Sequence, residues 1–136
     1  MLLQDATGSQ QPYVNATKNA IQTILDELIK SGNWSLSDIR VGITAFRDHP
    51  PQDTTFVTDK FNFTSDISSV MNYLNKIEHK GGGDGPEAQS DALAAALSAD
   101  WKEGATRVTI LITDAPPHGI KEDEDKIPDG CPDRGW

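Results

Sequence analysis

The chain is poor in cysteine and in long hydrophobic segments, and both deficits exclude classes of protein. One cysteine, Cys131, stands among 136 residues, so no disulfide can form within the chain. A single cysteine favours the inside of the cell slightly and leaves an extracellular location open. No apolar run approaches the roughly 20 residues of a membrane-spanning helix. Residues 1–4 lack the basic flank and the apolar stretch of a signal peptide.

Basic residues are also scarce. Twelve Lys and Arg stand against 21 Asp and Glu, which gives a net charge of -9. This balance argues against a nucleic-acid backbone or an anionic membrane as the main partner. An acidic chain suits cations, or simply solubility. The hydrophobic content of 36% is ordinary for a soluble globular protein, and the length predicts one domain.

What the sequence does contain is an alternation of strand-like and helix-like segments. Strands are expected at residues 1–4, 39–46, 54–64 and 107–112, and helices at 11–30, 67–77 and 86–97. The first helix has an apolar stripe at the spacing of a buried face, formed by Ile21, Ile24, Leu25, Leu28 and Ile29. The apolar run at 107–112 predicts a strand covered on both faces.

This order predicts an α/β fold with a doubly wound, mostly parallel sheet and helices on both faces, as in Rossmann-like proteins. Residues 1–118 would form the domain, and residues 119–136, which show no periodicity, an irregular acidic loop or tail. In such sheets, ligands bind beyond the carboxyl ends of the strands. Three loops at that edge carry oxygen donors: Asp5, Thr7 and Ser9, then Asp84 and Glu87, then Asp114.

An all-oxygen set of this kind suits a hard cation, Mg²⁺ first and Mn²⁺ or Ca²⁺ as alternatives. None of these positions offers the Cys or His ligands that zinc prefers. The histidines His49, His79 and His118 are interpreted as loop residues rather than ligands, although His118 lies near enough to this edge to contact a partner. Asp48 is interpreted as a turn acid, and residues 121–126 as a solvated loop.

Three motifs resemble those of the von Willebrand factor type A domain family. Asp5-Ala6-Thr7-Gly8-Ser9 is similar to the family's Asp-x-Ser/Thr-x-Ser motif, and Ile110-Leu111-Ile112-Thr113-Asp114 to the strand that ends in its third-loop aspartate. Gly83-Asp84-Gly85-Pro86-Glu87 resembles the second loop of hemicentin-type and integrin β-subunit domains, in which the glutamate after the proline reaches the metal.

The resemblance implies a metal-ion-dependent adhesion site (MIDAS) whose ligands are Asp5, Thr7, Ser9, Glu87 and Asp114. Asp84 would lie next to these ligands. It resembles an aspartate that binds a neighbouring ion in integrin β domains, but Gly82 replaces the asparagine that assists there, so a second ion is not implied.

The implied function is adhesion or assembly, in which the ion binds an Asp or Glu of a protein partner. The domain itself would not be an enzyme, although a parent protein could carry a separate catalytic domain. One alternative is a Mg²⁺-dependent phosphoryl-transfer enzyme with Asp5 as the nucleophile. Against it, Thr7 stands where a second carboxylate is needed, and residues 81–85 are not a P-loop. The other alternative is a metal-free structural fragment.

Relative to family domains, the chain is expected to be incomplete at both ends, above all at its carboxyl end. The strand at 107–112 would then lack its outer neighbour and present an apolar edge. This predicts self-association, or pairing with another chain, through that strand.

Overall fold

A mixed sheet of four strands in the order β3-β2-β1-β4 organises the protein, whose residues 1–132 are described by a computed structural model. The strands are β1 Leu2–Asp5, β2 Val41–Phe46, β3 Thr58–Thr64 and β4 Ile110–Ile112. Strand β1 pairs in parallel with both β2 and β4, whereas β3 runs antiparallel to β2. The predicted α/β architecture is confirmed, and the carboxyl ends of β1, β2 and β4 meet at one edge.

Helices cover both faces of the sheet. They are α1 Val14–Lys30, α2 Ile67–Lys76 and α3 Gln89–Leu97. Neighbouring residues of β1 point to opposite faces. Leu2 joins one apolar cluster with α1 and α2, whereas Leu3 joins a second cluster that includes Ala92 and Ala96 of α3. None of the helices within residues 1–132 has both the length and the hydropathy to cross a bilayer.

The helix boundaries differ from the sequence prediction at the amino-terminal ends. A 3-10 helix, Gly8–Tyr13, precedes α1, which begins only at Val14. The amide of Gln10 donates to the carbonyl of Thr7, the tight bonding of a 3-10 turn. At α2, the side chain of Asp66 accepts from the amide of Ser68 at 3.0 Å, so this helix begins with the expected type of cap.

Two burial predictions were wrong. Within the stripe of α1, Ile21 and Leu25 are buried, but Ile24 is 43% exposed and Leu28 is 38% exposed. The strand predicted over 107–112 is also shorter, and Leu111 is 40% exposed. Strand β4 lies at the sheet edge, and the exposure of Leu111 shows that one face of this strand is only partly covered.

Four loops gather beyond the carboxyl ends of the parallel strands. Backbone hydrogen bonds tie them together: Lys80 donates to Ala6, Gly8 to Gly81, Ala88 to Arg47 and Glu87 to Pro116. The side chain of Arg47 adds a bond from Nε to the carbonyl of Ala6 at 3.2 Å. The loops that carry the predicted ligands are therefore held together by main-chain contacts.

Candidate metal centre

The first loop forms a compact cluster of oxygen atoms. Asp5 ends β1 and is fully buried. Both the amide and the hydroxyl of Thr7 donate to Asp5 Oδ1, at 2.9 and 2.6 Å. The hydroxyl of Ser9 lies 3.2 Å from that of Thr7. One carboxylate and two hydroxyl groups thus converge within a single turn.

The third loop reaches the same cluster because β4 lies beside β1 in parallel register. The hydroxyl of Ser9 donates to Asp114 Oδ1 at 2.9 Å, across 105 residues of sequence. The hydroxyl of Thr113 donates to Asp5 Oδ2 at 2.7 Å. Each carboxylate oxygen of Asp5 therefore accepts from a different loop. The sequence prediction missed Thr113, although it directly precedes Asp114.

The second loop contributes Glu87, which is buried and has one oxygen, Oε2, without a hydrogen-bond partner. Its other oxygen lies close to the backbone of Gly82: a Cβ added there would stand 2.8 Å from Oε1 and 3.5 Å from the Cβ of Thr7. Gly82 has a φ of +80°, which side-chain-bearing residues rarely adopt. This glycine lets the loop bring Glu87 next to Thr7.

This cluster contains several carboxyl groups and no basic side chain that pairs with Asp5, Glu87 or Asp114 among residues 1–132. Burial, reinforced by the carboxylates of Asp5 and Asp48, raises the pKa of Glu87 to about 9. A buried carboxylate without a counter-charge is costly. The arrangement can hold a cation, and its donors are all oxygen, as hard divalent ions prefer.

All five residues predicted as ligands meet at this edge of the sheet. Asp5, Thr7, Ser9 and Asp114 form one chain of hydrogen bonds, and Glu87 stands beside Thr7. Exposure divides the set, because Asp5, Thr7 and Glu87 are buried whereas Ser9 and Asp114 are exposed. The open side of the cluster is therefore the side of Ser9 and Asp114.

Asp84 lies in a neighbouring cluster with Asp48 and His118, in which one ligand atom from each residue falls within 4.8 Å of the others. Its Oδ2 accepts from the amide of Lys126 at 2.7 Å. Burial, together with the carboxylate of Asp48, raises the pKa of Asp84. Asp84 is thus a neighbour of Glu87 and belongs to a second acidic group.

His118 and Asp48 lie outside the helices and strands, as predicted, but both are buried, which the sequence did not indicate. His118 is buried, with Nε2 at 2.7 Å from Asp48 Oδ1 and Nδ1 at 2.8 Å from Asp125 Oδ1. Burial alone would lower the pKa of His118, but its two carboxylate partners outweigh burial and raise that pKa. Asp48 is fully buried. The imidazole of His118, which bridges two carboxylates, therefore fastens the segment after β4 to the end of β2.

The segment of residues 121–126, predicted to be solvated, is exposed except at Asp125. The carboxylate of Asp125 accepts from the amides of Gly119 and Ile127, at 2.8 Å each. His49, also predicted to be a loop residue, is buried, and its Nε2 lies 2.8 Å from Asp91 Oδ2. No local sequence pattern predicts these histidine–aspartate pairs, because the partners lie 7 to 70 residues apart.

Comparison with known proteins identifies the family of the chain. The model of the family described as von Willebrand factor type A domain matches residues 1–129. The chain is also similar to Alpha-protein kinase vwkA of Dictyostelium discoideum, with 31% identity over 134 residues. The match covers 97% of this chain and 21% of the relative, so the chain spans about a fifth of that protein's length.

Proposed function

The chain belongs to the von Willebrand factor type A domain family, generally a protein–protein interaction module, and from this premise we propose that its interaction depends on a divalent cation. Domains of this family commonly bind a metal ion. In our proposal the ligands are Asp5, Thr7, Ser9, Glu87 and Asp114. The ion, Mg²⁺ in the first instance, would bind an Asp or Glu side chain of a protein partner.

The observation that carries this proposal is the unpartnered oxygen of Glu87. Its Oε2 is buried without a hydrogen-bond partner, close to the carboxylate of Asp5. A buried polar atom that lacks a partner costs about 1–3 kcal/mol, and more when it is charged. A divalent cation would remove this cost, since it supplies positive charge and occupies the unpaired oxygen. A purely structural fragment offers no reason to keep such a group.

The position of the partner follows from exposure and charge. Ser9 and Asp114 are the exposed members of the set, so the remaining coordination position would face solvent on their side. Without a cation this surface is acidic and repels a carboxylate. With the cation bound, most of this negative charge would be neutralised, and the open coordination position could accept a carboxylate by a charge-assisted contact. Binding to an acidic partner would therefore depend wholly on the metal.

Thermal unfolding tests the metal site. The chain would be compared in EDTA, Mg²⁺ and Mn²⁺ with two variants, Asp114→Ala and Asp123→Ala. Asp123 is an exposed acid outside the cluster and controls for the loss of one negative charge. A ligand at a hundred times its dissociation constant adds about 2.7 kcal/mol of stability. We expect that stabilisation in the parent chain and in Asp123→Ala, and its loss in Asp114→Ala. Equal midpoints in EDTA and in both metals would refute the proposal.

A second assay tests recognition of the partner. Fluorescent peptides that contain a single Asp or Glu would be titrated with the chain in Mg²⁺ and in EDTA, beside matched peptides with Asn or Gln. We expect binding of some acidic peptides in Mg²⁺ only. Binding that persists in EDTA, or that is equal for the amide peptides, would contradict recognition of a carboxylate by the ion.

The phosphoryl-transfer alternative is not favoured. Domains of this family are typically not enzymes. The similar protein from Dictyostelium is named an alpha-protein kinase, but the match covers only 21% of it. We propose that any catalytic activity of a longer parent protein would reside outside these residues, with this domain providing the contact to a partner.

A further inference from the structure

A further cluster of potential metal ligands lies outside the site formed by Asp5, Thr7, Ser9, Glu87 and Asp114, which we call the oxygen site. His49 follows β2, Asp91 lies in α3, and Cys131 lies in the segment after β4. One ligand atom from each residue falls within 4.8 Å of the other two. All three are buried, at 6%, 5% and 2% exposure. Three distant parts of the chain thus bring a thiol, an imidazole and a carboxylate to one point.

We propose that His49, Asp91 and Cys131 bind Zn²⁺ at a site separate from the oxygen site. The donor types carry this assignment, because cysteine thiolate and imidazole select borderline-soft ions such as zinc. The oxygen site contains neither donor and suits Mg²⁺. The two sites would therefore hold different ions.

The geometry requires small adjustments for zinc. Bonds of about 2.0–2.3 Å to a tetrahedral ion place the ligand atoms roughly 3.3–3.8 Å apart. His49 Nε2 and Asp91 Oδ2 are 2.8 Å apart, and no pair of the three ligand atoms exceeds 4.8 Å. Shifts on the order of 1 Å would bring the three atoms around an ion.

Binding of the ion includes a proton release. In the metal-free protein, burial and the carboxylate of Asp91 raise the pKa of Cys131 to about 12, so the thiol retains its proton. Zinc would replace that proton on Sγ, and the proton would leave to solvent, because the ligand is the thiolate. The hydrogen between His49 Nε2 and Asp91 Oδ2 would likewise leave to solvent or move to Nδ1 of His49.

The consequence would be structural. Cys131 belongs to the segment in which His118 and Asp125 also lie, and the rings of His49 and His118 are 6.1 Å apart. Zinc would join this segment to β2 and α3. The segment includes Pro116, whose carbonyl accepts from the amide of Glu87. Zinc bound by His49, Asp91 and Cys131 would therefore stabilise one wall of the oxygen site, although zinc is not part of that site.

Cobalt substitution gives a direct test, because Cys131 is the only cysteine of the chain. The chain would be stripped with EDTA, dialysed and titrated with CoCl₂ alone. We expect a thiolate-to-cobalt charge-transfer band in the near ultraviolet at one ion per chain, displaced by ZnCl₂. Absence of the band would overturn the proposal without reliance on any variant.

Variants distinguish a zinc site formed by all three residues from adventitious binding to the thiol of Cys131 alone. We expect His49→Gln and Asp91→Asn to weaken Zn²⁺ binding by more than about 100-fold, beyond the 10–100-fold effect of outer-shell changes. His79→Gln, which alters a partly buried histidine outside the cluster, should bind zinc like the parent. Circular dichroism would confirm that each variant is folded. A band of equal strength in all variants would show an adventitious thiol complex and refute the site.

Calorimetric titration with ZnCl₂ in excess Mg²⁺ separates this inference from the proposed function. Asp114→Ala should keep zinc binding and lose the response to Mg²⁺. Cys131→Ser should keep the response to Mg²⁺ and lose zinc binding. Loss of both responses in Cys131→Ser, with its fold intact, would contradict two independent sites.

Discussion

Substitution of Glu87 by Gln is expected to stabilise the metal-free protein and to weaken the metal-bound one. The pKa of Glu87 is raised to about 9 in the folded chain, whereas the pKa of a glutamate in the unfolded chain lies near 4.5. As the pH rises from about 4.5 to about 9, the unfolded chain loses this proton before the folded chain does. Rising pH therefore favours unfolding across that window.

The magnitude follows from the size of the shift. Each pKa unit corresponds to about 1.4 kcal/mol. At pH 7 the unfolded carboxyl is ionised, because pH 7 lies about 2.5 units above its pKa. Glu87 therefore lowers the free energy of unfolding at pH 7 by at most about 3 kcal/mol. In the variant, a buried Gln amide that lacks some hydrogen-bond partners lowers the stability by about 1 kcal/mol. We therefore expect Glu87→Gln to be more stable than the parent by about 2 kcal/mol in EDTA at pH 7.

Saturating Mg²⁺ should reverse this order. The parent gains about 2.7 kcal/mol at a hundred times its dissociation constant, and the variant, which lacks the ligand, gains little. The assay is thermal unfolding at pH 5, 6, 7 and 8, in EDTA and in Mg²⁺. For a chain of this size, 1 kcal/mol moves the midpoint by about 4 °C. Glu103→Gln is the matched control, because Glu103 is exposed and the substitution changes the net charge equally.

Two results would refute the reasoning. If Glu87→Gln is less stable than the parent in EDTA at every pH, Glu87 serves as a structural acceptor and not as a charge awaiting a cation. If its advantage in EDTA does not grow between pH 5 and pH 8, the carboxyl is not held protonated by the fold.

Three further predictions concern other parts of the molecule. His118 has a raised pKa, so its contribution to stability is complete below its unfolded pKa of about 6.5 and is lost as pH rises through the folded value. His118→Gln should cost about 3–5 kcal/mol at pH 6 and less at pH 9, as measured by urea unfolding. Thr113→Val removes the hydroxyl that donates to Asp5 Oδ2. It should weaken Mg²⁺ binding by about 10–100-fold in calorimetric titration while changing stability by only about 1 kcal/mol. Strand β4 should mediate self-association at high concentration, and Leu111→Lys should reduce it in sedimentation velocity; a monomeric parent would contradict this.

Most of the fold could be predicted from the sequence because the spacing of apolar residues reflects which face of an element is buried. The pattern of α2 and the alternation along β2 placed both elements within two residues at each end. Periodicity does not reveal which side of an edge strand is covered, and for this reason Leu111 was predicted to be buried. It also does not reveal how far a 3-10 turn delays a helix, as before Val14.

The candidate metal centre was predictable from the sequence for a different reason. Asp5, Thr7 and Ser9 lie within one turn, so their mutual distances are fixed by local geometry alone. Asp114 follows a strand whose parallel neighbour is β1, and this topology brings it to Ser9. The contacts of His118 with Asp48 and Asp125 depend instead on the path of an irregular segment. No spacing in the sequence encodes that path.

The distribution of apolar and acidic groups indicates where removal of the metal would act. The two apolar clusters join the helices to the body of the sheet, whereas the buried acids Asp5, Asp48 and Glu87 lie at loops that backbone hydrogen bonds connect. Loss of a cation would therefore expose acid repulsion in the loops while the clusters remain packed. We expect EDTA to raise amide hydrogen exchange in residues 80–88 and 113–119 and to leave α1 unchanged, since local opening follows local stability. Uniformly faster exchange, α1 included, would mean that the cation supports the whole fold; the loop-confined pattern would mean that it organises a surface for binding.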